Sequence, residues 1–380
     1  MRAIRLLLLG LALAFGPAIA LAAPGYGIQV VFTGTNYRPV AINNAGDIAF
    51  VDLGPTLTQG HASVRYADGT QVSLNLPGST LSYVHAINER GQAVGWSLNT
   101  TENIPHPVLL SGGQLTQLDA NGGPLWDAYD INNAGHIAGQ YKGPDGLHAV
   151  IVDGTSYHDL GSGGAAMSSA AHINDHDQVV GINSPFENAT HAFYYSDGVM
   201  TDLSVLSGHP NTSAWGINEL GQMIGRYNPP STDQQEHGFL YYQGQFTELT
   251  PGLFSQPMAI NNKGQIVGDL GNGIGDPFIW ENGAYTHLND LIDPASGYAL
   301  QFAPDINDKG QILVWACNKQ DANACDVLVL TPVPEAPGWL MLAAGVGLLA
   351  LRGRLRQAAS ACARLLRACP SNRAWSAAVR

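Results

Sequence analysis

Charge is scarce in this chain. Of its 380 residues only 12% are Asp, Glu, Lys or Arg, against 45 Gly and 22 Pro. That balance excludes coiled coils, charged disordered chains and most helical bundles. Long Leu, Ala, Glu and Lys runs at helical spacing are absent from the body, which argues against a helical solenoid. Basic residues are scarcer still: residues 24–351 hold 8 Lys or Arg and all 30 Asp and Glu, a net −22, with Arg2 and Arg5 before and seven Arg after. So negative a body repels phosphate backbones, and no nucleic-acid partner is expected. Catalytic signatures are also missing: there is no Gly-x-Ser-x-Gly elbow, no His-Glu-x-x-His helix and no Gly-x-x-x-x-Gly-Lys phosphate loop. Cysteine is limited to four residues.

The two ends carry address-like patterns. Arg2 and Arg5 precede an apolar run from Leu6 to Phe15 and small residues around Ala20-Leu21-Ala22. This reads as a secretory signal peptide over 1–22, cleaved after Ala22 because a cut after Ala23 would set Pro24 beside the scissile bond. At the other end, Pro332-Val333-Pro334-Glu335-Ala336-Pro337 forms an extended spacer. Fourteen uncharged residues, 338–351, then lead to Arg352, Arg354 and Arg356. As a helix that run spans about 21 Å against a hydrocarbon core of about 30 Å, a short transmembrane helix aided by snorkelling arginines. The arginines place a basic tail, 357–380, in the cytoplasm.

This tail resembles the PEP-CTERM sorting signal of Gram-negative bacteria, through Val333, Pro334 and Glu335, the apolar run, and the cluster Arg352, Arg354 and Arg356. The resemblance implies an exosortase-type processing enzyme as a partner and a destination at the outer surface or in extracellular matrix. Two departures stand out: Ala336 separates Glu335 from Pro337, and 24 residues follow Arg356.

The body is a repeat. An apolar-Asn phrase recurs seven times, at Asn43, Asn88, Asn132, Asn174, Asn218, Asn261 and Asn307, with spacings of 45, 44, 42, 44, 43 and 46. Each Asn leads into a Gly three residues on, except that Asp177 holds this place in the fourth copy. Asn bonding its own backbone and Gly at positive φ predict a tight hairpin between two strands. A third strand follows, as in His148-Ala149-Val150, His191-Ala192-Phe193 and His237-Gly238-Phe239, and a Gly-containing turn leads to a fourth. Four short strands at this period predict an all-β, seven-bladed β-propeller with four-stranded blades over residues 23–331. The seventh repeat lacks its fourth strand, whereas Gly27–Phe32 is a strand-like segment with no blade. The N-terminal strand is therefore expected to complete blade seven and close the ring.

The Ile-Asn-x-x-Gly phrase with the His-Ala-aromatic strand resembles the HAF repeat of extracytoplasmic bacterial proteins. It matches best at His148, His191 and His237, more loosely at His61 and His106, and departs at Asp276 and Cys325. The family implies location and fold but no reaction.

The repetition itself argues against chemistry at the repeated residues. Equivalent histidines on successive blades stand too far apart to share a metal at about 2.1 Å, so a bond from the third strand to a neighbouring turn is expected. The seven Asn read as turn caps, and Asp175 with Asp177 as a solvated turn lacking EF-hand spacing. No catalytic, cofactor or metal site is assigned. The pointers to a site are residues that break the repeat: Trp126, His209, Trp215, Arg226 and the insert 228–236. Cys317 and Cys325 flank a short loop in an exported segment and are expected to form a disulfide, while Cys362 and Cys369 lie in the tail. The expected protein is a monomeric, exported binding or structural module of the cell envelope or exopolysaccharide matrix, without cofactors. The alternative is a secreted propeller enzyme acting on polysaccharide, which would show carboxylates about 5 to 9.5 Å apart in a concave mouth.

Overall fold

The computed structural model describes residues 25–334 apart from 55–59, 100–103, 144, 185–189, 210, 230–234 and 272–274. The segments expected to form a signal peptide, 1–22, a transmembrane helix, 338–351, and a basic tail, 357–380, lie outside the described residues. Among the described residues no helix is long and apolar enough to cross a membrane.

Seven four-stranded antiparallel sheets make up the body, and each of the first six is one sequence repeat in simple up-and-down order. Blade seven is built from Tyr298–Ile306, Ile312–Asn318 and Asp321–Pro332, with the N-terminal strand Tyr26–Thr33 as its fourth. That strand runs antiparallel to the last one, from Tyr26 opposite Pro332 to Thr33 opposite Asp326. The ring is thus closed by pairing the two ends of the body, which removes the open edge that the missing strand would leave.

The core lies between neighbouring blades, because each sheet is apolar on both faces. Val51, Val64 and Leu74 of blade one pack with Val84, Val108 and Leu110 of blade two. Ile224 and Leu249 of blade five likewise pack with Ile266 and Phe278 of blade six.

Every first strand lines the central channel and ends at the repeated Asn. At each phrase the Asn side-chain oxygen caps its own turn; Asn218 Oδ1, for example, accepts from the N–H groups of Leu220 at 3.1 Å and Gln222 at 2.9 Å. Asp177, in the glycine place, sits at φ 56°, a left-handed value that Asp tolerates.

The same Asn does a second job. Its Nδ2 donates to the backbone oxygen of the Asn in the next blade, at 2.9 to 3.1 Å, from Asn43 to Asn88 and onward to Asn307. Asn307 then donates to Asn43 at 3.0 Å, completing a circuit of seven bonds. A second circuit runs beside it, in which the residue after each Asn donates its N–H to the side chain of its counterpart. It passes from Asn44 to Glu89, Asn133, Asp175, Glu219, Asn262 and Asp308, and Asp308 donates back to Asn44. The repeated amide therefore ties blades together as well as closing its own turn.

Candidate functional site

A channel whose walls repeat seven times becomes specific only where the repeat lapses, and one backbone device produces that lapse. In each blade the first strand shifts register against the second just before the Asn phrase. The residues this leaves unpaired are Val40, His85, Tyr129, Ala171, Trp215, Met258 and, within a wider irregularity, Pro304. Such a bulge re-aims its extra side chain, here into the cavities along the axis. The bulge also explains a glycine in the second strand: a Cβ on Gly95, Gly181 or Gly225 would stand 2.0 Å from the first-strand carbonyl of Tyr83, Ser169 or Ser213. The scaffold is constant, and the residue it projects is free to vary.

Three cavities follow. The channel itself holds 420 Å³ and runs from Tyr83 and Phe302 to the Asn ring. Towards the end away from the Asn turns, blades two to six enclose a cleft of 580 Å³, with His85, Tyr129, Ser169, Trp215, Arg226 and Gln256 in its wall. A second cleft, of 400 Å³, lies among blades seven, one and two and is walled by Arg38, Leu81, Tyr83, Trp96, Phe302 and Trp315. The larger cleft shares His85, His172 and Met258 with the channel; the smaller shares Pro39, Tyr83 and Phe302. Tyr83 and His85 are neighbours whose ring centroids are 5.1 Å apart. The three spaces form one aromatic and polar trough.

Behind the larger cleft sits a group of coupled titratable side chains. His85 Nε2 is 3.7 Å from Asp127 Oδ1, and the His85 ring meets Tyr129 edge-on at 5.4 Å. Burial pushes His85 down to about 4, so the imidazole is neutral at ordinary pH. Burial raises Asp127 to about 6, against hydrogen bonds from Ala128 N–H and Tyr129. Tyr129 is raised to about 12 by burial and then by the Asp127 charge. Deeper in the channel, Asp130 and Asp305 act as staples. Asp130 Oδ2 accepts from Ile173 N–H at 3.0 Å, and Asp305 Oδ2 from Ile42 N–H at 2.7 Å, each reaching the next blade. Burial raises Asp305 to about 6. Burial opposes the charge on His172, but Asp130, 3.0 Å away, holds it above its ordinary value.

The residues singled out by sequence are distributed unevenly. Trp215 and Arg226 reach the cleft together, with the Arg226 guanidinium carbon 5.5 Å from the Trp215 ring centroid. Of the insert, Glu236 pairs with Arg226 at 2.5 Å. His209 packs with its ring tilted against Tyr227 at 4.2 Å and Phe246 at 5.3 Å, away from the cavities, and Trp126 stands outside them, 50% exposed. Asp175 and Asp177 do not converge: Asp175 accepts from Asn133, Asp177 from Asn132 and His136. Among the described residues no group of three or more His, Cys, Asp or Glu is placed to hold a metal ion.

The third-strand histidines bond differently from the turn contact expected of them. His148, His191 and His237 each meet an acid eleven residues on, Asp159, Asp202 and Glu248, at the end of the fourth strand of their own blade. The cause is register, since the fourth strand returns antiparallel to the third. Blade six exchanges the partners, with Asp276 in the His place and His287 in the acid place, 2.7 Å apart. His106 pairs with Asp119 and His61 with Asn75, both at 2.7 Å. Cys317 and Cys325 are joined by a disulfide between cross-strand neighbours of blade seven. Of the sorting-motif residues, Val333 and Pro334 are described as coil, while Glu335, Arg352, Arg354 and Arg356 lie outside the described residues.

No protein-family model and no curated protein matches the chain. Solved structures do. YCF48, in a structure bound to D1 peptide, aligns at a TM-score of 0.51 and 10% identity, over 84% of this chain and 99% of that one. The polysaccharide lyase Uly1 aligns at 0.42 and 12% identity, over 84% and 92%. A Trypanosoma rangeli sialidase aligns at 0.40 and 10% identity, over 81% of this chain and 60% of its own. At 10% identity the YCF48 alignment shows the fold alone.

His85, Tyr129 and Met258 went unflagged by sequence reading. Aligning the seven repeats on Asn would have found them, because three residues before each Asn the copies read Val, His, Tyr, Ala, Trp, Met and Pro.

Proposed function

We propose that this chain is an exported propeller, anchored through its C-terminal segment or processed by an exosortase-type enzyme, that binds glycan at the cell envelope or in exopolysaccharide matrix. The observation that carries the reading is the trough. An invariant hydrogen-bonded scaffold presents one variable side chain per blade, and these include Trp215, Tyr129 and His85, beside Tyr83, Trp96 and Trp315. Flat aromatic faces beside amide, hydroxyl and imidazole groups suit the alternating apolar and polar faces of sugars. Trp215 is 36% exposed even with Arg226 against it, so a ligand will report on it. The test is titration of the full-length protein with a panel of bacterial exopolysaccharides, read by tryptophan fluorescence. Saturable quenching that Trp215→Ala weakens by about tenfold or more supports the reading; a flat response across the panel overturns it. Weighing the mature chain tests export, since a mass ending near residue 335 supports processing.

The enzymatic alternative is favoured by one feature, the buried His85, Asp127 and Tyr129 group. Hydrolysis by paired carboxylates finds little support: the described walls of both clefts contain no Asp or Glu, and the acids of the channel wall, Glu89, Asp130, Asp175, Glu219, Asp305 and Asp308, each accept a backbone N–H from a neighbouring blade. If the site turns over glycan, Asp127, which lines neither cleft, acts through His85, whose ring it meets at 3.7 Å and which does line the larger one. Reducing ends should then accumulate with the parent protein and vanish with Asp127→Asn, while binding persists.

A further inference from the structure

The charge pattern of the two clefts goes against that of the body and of the channel between them, whose wall holds Glu89, Asp130, Asp175, Glu219, Asp305 and Asp308. Residues 24–351 carry 30 acids and 8 Lys or Arg, yet neither cleft has an Asp or Glu in its described wall, and each has one arginine. The two are built alike. Arg226 lies over Trp215 with its guanidinium carbon 5.5 Å from the ring centroid, and Arg38 lies over Trp315 at 4.4 Å. Stacking on indole holds a guanidinium plane in place and leaves its edge for a planar anion. Nη1 of Arg38 donates to the backbone oxygens of Thr35 and Tyr37, and Nη1 of Arg226 meets Glu236. A guanidinium has five N–H donors, so one occupied nitrogen does not exhaust it.

We infer that the glycan is acidic, a uronate-bearing chain laid along the trough with sugar carboxylates at Arg226 and at Arg38. This rests on the glycan reading above and adds the substrate class. A carboxylate on a pyranose ring offers the two coplanar oxygens that a guanidinium edge pairs with, and an indole beside it offers a surface for the ring. The body's negative charge opposes the approach of such a chain. At about 0.15 M salt, however, that field is screened within about 8 Å, so contact in the two clefts, whose described walls carry no carboxylate, decides. Glu236 takes the role of an internal competitor: it occupies the position at Arg226 that a sugar carboxylate would claim, and its side chain is 38% exposed.

The test is calorimetric titration of the full-length protein at about 0.15 M salt with polygalacturonate and alginate oligomers, their carboxyl-reduced forms, and a neutral glucan. The acidic oligomers should bind, the reduced forms should bind about tenfold or more weakly, and Arg226→Gln and Arg38→Gln should each erase part of that difference and together most of it. Glu236→Gln, which leaves both arginines in place, should tighten the acidic oligomers several-fold without changing the neutral ones. That variant also decides the matter should an arginine variant fail to fold. If reduced and acidic forms bind alike, if Glu236→Gln changes nothing, or if only the neutral glucan binds, the acidic inference is overturned and the glycan reading stands. If no glycan binds, the glycan reading falls with it.

Discussion

Replacing one ring amide by alanine tests whether the Asn circuit holds the blades together. In Asn218→Ala, Leu220 N–H and Gln222 N–H lose the Oδ1 acceptor, while Asn261 O and Gln222 Oε1 lose the Nδ2 donor, bonds of 2.7 to 3.1 Å in the parent. Leu220 is 57% exposed, so water can serve its N–H. Asn261 is only 3% exposed; its carbonyl keeps the bond from Gly264 N–H at 3.0 Å but loses its second donor. One stranded backbone group, Gln222 N–H, at about 1 to 3 kcal/mol, and a second donor lost at Asn261 O, at about 0.5 to 1.5 kcal/mol, give a loss of about 2 to 4 kcal/mol. For a body of some 300 residues this lowers the thermal midpoint by about 3 to 6 °C. Asn218→Asp should do no better at neutral pH, because it restores the acceptor but turns an oxygen towards Asn261 O. The control is Asn262→Ala in the outer circuit, whose bond to Glu219 N–H is solvent-exposed and worth under about 1 kcal/mol. Scanning calorimetry with circular dichroism measures all three. Equal and small shifts for Asn218→Ala and Asn262→Ala would refute the claim that the inner circuit carries load between blades.

Three further outcomes follow from the same geometry. Exchanging Tyr26–Thr33 for a Gly-Ser stretch of equal length strips blade seven of its outer strand; the result should be aggregation in size-exclusion chromatography, whereas a monodisperse, equally stable product would show that closure is dispensable. The Cys317–Cys325 disulfide spans 8 residues, and replacing both by Ser should cost about 2 to 3 kcal/mol on the loop-entropy argument, read as a lower denaturant midpoint that reductant reproduces in the parent only. Asp269 is 4% exposed, its Oδ1 has no hydrogen-bond partner, and burial, then Asp276, raises it to about 7. Because the folded form holds this proton more tightly than the unfolded chain, the contribution of Asp269 to stability is greatest below about pH 4 and is lost as pH rises to about 7. Asp269→Asn should therefore gain on the order of 2 to 4 kcal/mol at pH 8 and little at pH 4.5, and an equal effect at both values would count against it.

The scaffold could be read from sequence because its physics is repeated seven times. A hairpin that needs Asn to cap it and Gly to turn it leaves both at a fixed period, and a missing strand at one end with a spare one at the other fixes how the ring closes. What reading blade by blade conceals is any bond that runs between copies. Asn218 capping its own turn is visible within one repeat, but Asn218 donating to Asn261 requires knowing that the two turns adjoin. The third-strand histidines pose the same difficulty one level down: their partner is set by how the fourth strand returns, and blade six shows the logic by interchanging His and Asp without losing the pair. The trough is hidden for the opposite reason. Its residues are those on which the copies disagree, so each looks like drift until the phrases are laid over one another, when disagreement concentrates at the bulge before the Asn and at the second-strand position that holds Trp96, Arg226, Asp269 and Trp315. A structural requirement is met in the same way in every blade. A ligand lacking sevenfold symmetry demands different side chains from different blades, and the bulge positions, which differ in all seven copies beside an Asn that is the same in all seven, can meet that demand.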